Sequence, residues 1–201
     1  MAVALTNLPL PWQAEPALID YGGDQTGSGG GSQSRFVRLG SRWSCRFGAL
    51  PDLAWASAKP LLAARLAAMT AGSVVSCPWP QLPFSAPIGA PVVDGAGQAG
   101  QTLNVRGFTP ALAAIVAGLW FSVTVSGRGY LYQVTDTVTV GGTGRATLAI
   151  APWLRAAPTD GAALNFASPS IEGFLDTLGV TWDLTMRAWV TIPAFTITEI
   201  A

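Results

Sequence analysis

The sequence predicts a mainly β fold: a first domain of strands covered by one α-helix, interrupted by an inserted small β-barrel. Three observations predict it. Short β-like runs with glycine punctuation fill 92–166, one alanine-rich stretch has helical character, and after Pro169 the long-strand texture of the first part returns. The first domain is therefore expected to be discontinuous, 1–86 joined by 172–201, with the barrel at 87–171.

The elements follow in order. The opening segment passes through Pro9, Pro11 and Pro16 and offers little regular structure before Tyr21. Residues 22–33, GGDQTGSGGGSQ, have almost no side chain to bury and much backbone entropy to lose, which predicts a mobile loop unless a partner orders it. Gly22, Asp24, Gln25, Gly29 and Gln33 are its candidate contact residues toward such a partner. The glycines do not make a phosphate cradle, because no GK[ST] follows and the strand-then-helix context is missing.

From Arg35 the pattern turns to strands. Phe36 to Leu39 leads into Trp43, Cys45 and Phe47, which alternate with Arg42, Ser44 and Arg46 to give one apolar and one basic face. Asp52 is a candidate cap for a helix that runs through DLAWASAKPLLAARLAAM to a stop at Gly72. Pro60 lies inside that span and leaves two readings: a kinked helix, or a short turn at 52–56 followed by a helix capped by Ser57. In either case Leu61, Leu62, Arg65, Leu66 and Met69 form the face that covers a sheet.

Val74 to Cys77 reads as a short strand. Pro78, Pro80, Pro83, Pro87 and Pro91 then suit a domain crossing, since proline holds an extended path without partners. Beyond them the expected strands are 103–105, 120–125, 130–135, 146–150 and 163–166, with turns at 95–100, 127–129, 141–144 and 158–161. Five or six short strands at this spacing indicate a small barrel. In the last segment Val180, Trp182, Leu184, Met186, Ala188 and Val190 alternate with polar residues as one long strand, and Phe195, Ile197 and Glu199 continue after Pro193.

Composition limits the chemistry. The 201 residues carry 11 basic and 11 acidic side chains, and charged residues make up 11%. Soluble chains usually carry roughly 25%, so much of this surface is expected to be covered by other subunits or by a membrane. The absence of histidine removes histidine triads and most zinc and non-haem iron ligand sets. Zero net charge, with Lys59 the single lysine, leaves no basic stripe for nucleic acid. Cys45 and Cys77 form no CxxC and read as small buried hydrophobes rather than a disulfide.

The start of the chain, 1–10, lacks a basic beginning and a continuous apolar run, so a signal peptide is not expected. Residues 107–127 carry no charge, but Pro110 and Gly118 interrupt them and the part from Trp120 alternates as a strand. No membrane insertion is expected.

Several strings carry a resemblance: RWSCRFGAL ahead of the helix, VDGAGQAGQTLNVRGFTP, GRATLAIAPWLRAAPTDGAALNF and GVTWDLTMRAWV. Together with the architecture they resemble the distal tail proteins of long-tailed bacteriophages, of siphophage or gene-transfer-agent type, over about four fifths of the chain from Ser34 onward. The resemblance implies a β-sandwich-like ring domain with one helix and an inserted OB-like barrel. It implies a homo-oligomer, a hexameric ring joining the tail tube protein to the baseplate hub or tip protein, assembled in the host cytoplasm and resident in the virion tail. Its motifs are turns and strand edges, so it implies no catalytic residue, cofactor or metal. Pro60 and the glycine loop depart from the family pattern.

Two other functions compete with that adaptor. A carbohydrate-binding or host-recognition module would use barrel aromatics such as Trp120, Tyr130, Tyr132 and Trp153, with Tyr130 and Tyr132, two apart on a strand and so on one face, as a platform. An enzyme would need carboxylates brought together, and Asp94, Asp136 and Asp160 are the candidates.

Overall fold

The computed structural model describes residues 2–5, 13–27, 29–81, 87–109, 114–176, 180–184 and 189–200, and among these the chain is mainly β with one helix. In the first part, β1 is Val3–Ala4, β2 Ala14–Ile19, β3 Gly23–Thr26, β4 Gln33–Phe36, β5 Arg42–Phe47 and β6 Leu50–Ala54. Helix α1, Trp55–Ala71, follows directly, and β7 is Val75–Pro78.

The apolar face read from RWSCRF holds in β5, while Ser44 of the opposite face is itself buried against Thr198. Trp43, Cys45 and Phe47 are buried, and on the other face Arg46 reaches Glu15 of β2 at 3.2 Å. The helix begins differently from either expectation. Asp52 lies in β6 at φ 52° and does not cap; the N-cap position is Ala54, with no side-chain bond, and Ser57 lies inside the helix. Strand pairing of Leu53 and Ala54 with Val190 and Trp189 holds the backbone extended up to Trp55, which overrides the local capping signal. Pro60 is accommodated within α1, and Gly72 ends it in the left-handed conformation at φ 59°. Ala58, Leu61, Leu62, Arg65 and Ala68 are the buried face, and Leu66 points outward at 40% exposure.

The barrel segment contains β8 (Gly89–Val93), β9 (Thr102–Phe108), β10 (Ala114–Ile115), β11 (Trp120–Val125), β12 (Arg128–Val134), β13 (Val138–Thr139), β14 (Ala146–Ala151) and β15 (Leu164–Asn165). Six of them form a sheet in the order β15-β11-β12-β14-β9-β8. Its two edges meet: Val92 bridges Ala163, and Val93 N donates to Ala162 O at 2.9 Å. The sheet thus nearly closes around Phe121, Tyr132, Leu103 and Ile150. The apolar stretch at 107–127 is divided between the end of β9, β10 and β11, with 110–113 outside the described residues. No helix among the described residues is long and apolar enough to cross a membrane.

The chain returns through β16 (Ser170–Leu175), β17 (Asp183–Leu184), β18 (Trp189–Ile192) and β19 (Phe195–Glu199). One sheet has the order β1-β7-β16-β19-β5-β2, so strands from both ends of the sequence interleave in it. A smaller sheet, β17-β18-β6, shares its core with it. The single long strand expected over 180–191 is instead two short strands paired antiparallel, Asp183 with Thr191 and Leu184 with Val190. Period-two alternation reads the same in a hairpin as in one strand, which is why the sequence did not separate them. Met186 and Ala188 of that expected strand, and Pro83 of the proline crossing, lie outside the described residues.

Candidate functional site

Among the described residues the glycine-rich segment forms a two-stranded ribbon. Strands β3 and β4 pair antiparallel, Asp24 opposite Arg35, Gln25 opposite Ser34 and Gly23 opposite Phe36. Where 22–33 reads as a loop, residues 23–26 and 33–36 pair as strands: Gly29 and Gly30, at φ 93° and 82°, lie at the reversal, and the backbone ladder needs no side chain to form. Gln33 closes the ladder against Thr26, and Gly22 packs so near Phe36 O that an added Cβ would stand 2.8 Å from it. Together β3 and β4 continue the β2–β5 pair outward as an arm.

A polar clasp holds the root of that arm. Asp20 accepts from Gly22 N at 2.9 Å and Ser41 Oγ at 2.8 Å, and it also pairs with Arg35. These donors, Gly22 first, hold the Asp20 carboxyl below the usual carboxylate range. Arg42 lies 4.8 Å from the Tyr21 ring centroid and bonds its hydroxyl. Beyond the clasp the surface is apolar and open: Phe36, Val37 and Leu39 are 53%, 54% and 71% exposed.

A second polar centre joins the barrel to the first sheet. Glu199 ends β19 on the same face as the buried Phe195 and Ile197. Its carboxylate accepts from Trp43 N at 2.8 Å, Leu131 N at 2.9 Å and Arg155 Nη2 at 2.8 Å. Burial pushes this carboxyl up, and Arg155 and the two backbone donors pull it back. Nearby, Gly129 N donates to Glu172 Oε2 at 2.9 Å, and Gln81 ties Trp120 N to Phe166 O. Trp120 itself packs between Trp43 and Trp79, at ring centroid distances of 4.5 and 4.4 Å.

The four aromatic candidates therefore share no open face. Trp120 fills the junction, Tyr132 is fully buried, and Tyr130 lies half-buried with Arg155 5.1 Å from its ring centroid. Trp153 is half-buried, with a buried indole N–H that has no hydrogen-bond partner among the described residues. Tyr130 and Tyr132 do share a side of β12, but Arg155 covers it.

Of the three carboxylates, Asp94 and Asp160 converge, and Asp136 is not part of their cluster. Both bind Arg106 Nη1, at 2.9 and 2.5 Å, and Arg145 stands 3.5 Å from Asp94. The Arg106 guanidinium, with Gly95 N, holds the Asp160 carboxyl at about 2. That is the reverse of the raised value a proton-donating carboxyl needs. Among the described residues no three His, Cys, Asp or Glu side chains gather as metal ligands. Cys45 and Cys77 are free, buried thiols, and burial pushes Cys45 up to about 12.

Sequence reasoning missed Glu199 and Arg155 as a pair. A carboxylate in register with Phe195 and Ile197 was the available signal for one partner; nothing local marks the other. Compared with known protein families and with curated proteins, the chain matches none.

Proposed function

We propose that this protein is a structural component of a phage-type tail, a ring-forming adaptor between the tail tube and the baseplate or tip, as its resemblance to distal tail proteins implies. The reading rests on the arm. A two-stranded ribbon is marginal on its own in water, and this one presents Phe36, Val37 and Leu39 at its root, half or more exposed among the described residues. Such a surface is stabilised when a neighbouring copy covers it. The scarcity of charge points the same way, because a subunit enclosed laterally and axially needs few charged groups to stay in solution.

The junction adds a mechanical role. With Glu199, Gln81 and Glu172 tying the barrel to the first sheet, the barrel projects in a set direction rather than swinging on a linker. Each copy of a closed ring then offers the same barrel orientation to whatever docks on it.

The test is the particle formed by the full chain, viewed by negative-stain electron microscopy and weighed by native mass spectrometry. Closed rings, with six copies as the resemblance implies, are the expected result. A chain that stays monomeric at all accessible concentrations overturns the reading.

A further inference from the structure

We infer that the segment Val37, Arg38 and Leu39 of one copy docks into the cleft between the end of α1 and the end of β16 on a second copy. This rests on the ring reading above and names the contact that closes it. The cleft encloses about 330 Å³ and is walled by Ala68, Met69, Phe174 and Leu175, with Ser73 and Asp176 at its margin. Phe174 is a large apolar side chain left 48% exposed there.

Charge selects the occupant. The Asp176 carboxylate is exposed and makes no ion pair among the described residues, although Arg65 beneath it acts on it electrostatically. The last carbonyls of α1, toward Gly72, add negative partial charge on the same side, and no basic residue stands in the helix's last turn to offset it. On the arm, Arg38 is exposed and makes no hydrogen bond or ion pair among the described residues. It sits between the two most exposed aliphatic side chains of the segment, Val37 and Leu39. An apolar knob carrying a cation thus faces an apolar cleft carrying an anion.

Strand registers place the two features where one molecule cannot join them to itself. The arm leaves the sheet beyond Ile19 and Arg42 of the β2–β5 pair. The cleft lies at the other end of the strands, where Leu175 pairs with Ile197 and Phe195 with Phe47. A knob at one corner and a cleft at the opposite corner make a head-to-tail contact, which closes into a ring when its rotation allows.

The experiment uses the full chain with Arg38→Glu, Asp176→Arg and the two combined. Each single reversal is expected to weaken association about tenfold or more by sedimentation, and the double reversal to restore it. A second measurement mixes Leu39→Cys with Met69→Cys under oxidation; a covalent dimer forms in the mixture and in neither alone, the native thiols being buried. Rings that assemble without the cross-link and with no response to charge reversal overturn this contact and leave the ring reading standing. A wild-type chain that remains monomeric, together with no cross-link in the cysteine-variant mixture, overturns both.

Discussion

Glu199 and Arg155 meet at 2.8 Å with side chains only 1% and 4% exposed, one at the end of the last strand and the other on the barrel. The pair sits where three parts of the chain converge, because the same carboxylate holds Trp43 N and Leu131 N. Removing one member leaves the other charge buried without its partner. Glu199→Gln is therefore expected to destabilise the protein by about 3–5 kcal/mol in urea unfolding, and pairing it with Arg155→Met to recover part of that loss. A single-variant cost below about 1 kcal/mol means the junction does not depend on this carboxylate.

Gly173 occupies the middle of β16, opposite Glu199 on one side and Val75 on the other. A Cβ there would collide with the backbone carbonyl of Thr198, which belongs to the paired strand and has no flexible end to give way. Gly173→Ala is expected to cost about 1–3 kcal/mol through strand displacement. Gly142→Ala, whose added Cβ meets nothing within 4 Å, serves as the control and should stay within about 0.5 kcal/mol of wild type. Equal effects at the two sites would contradict the close approach.

Asp160 carries the clearest pH signature. Its carboxyl is lowered to about 2 in the folded chain, chiefly by Arg106, against an ordinary value of 3.8. A depressed carboxylate adds stability above its unfolded value, and that contribution is lost as pH falls from about 4 through 2. Carboxyl-carbon NMR should give a midpoint near 2, returning toward the ordinary range in Arg106→Gln. A wild-type midpoint near 4 rules out the tight pairing.

Alternation and glycine punctuation made the strands of the barrel and of β5 readable, because burial on one face writes itself into every second residue. Where the physics is not local, the sequence carries no mark of it. The ladder of β3 and β4 uses backbone groups that any residue carries, so GGDQTGSGGGSQ reads as entropy alone. The reversal between β17 and β18 has no glycine or proline to mark it, and TMRA continues the alternation. Asp52 looks like a cap, yet its backbone is committed to β6 by strand pairing with Val190. The candidate sites divide likewise: the arm's position was visible in composition, whereas Tyr132 and Trp120 look available in sequence until packing covers them.

Arg65 gives the least expected prediction. It lies in the buried face of α1, 4.6 Å from the Phe195 ring centroid, and its Nε and Nη1 are buried without a hydrogen-bond partner among the described residues. Burial lowers the pKa of its guanidinium, and Asp176 offsets that only at a distance. Dispersion and the ring face stabilise the side chain, but two desolvated N–H groups receive nothing in return. Methionine fills similar volume without those donors, so Arg65→Met is expected to be neutral or to stabilise the isolated subunit by about 1 kcal/mol in urea unfolding. A loss above about 1 kcal/mol would mean that the ring contact with Phe195 outweighs the desolvation of the guanidinium.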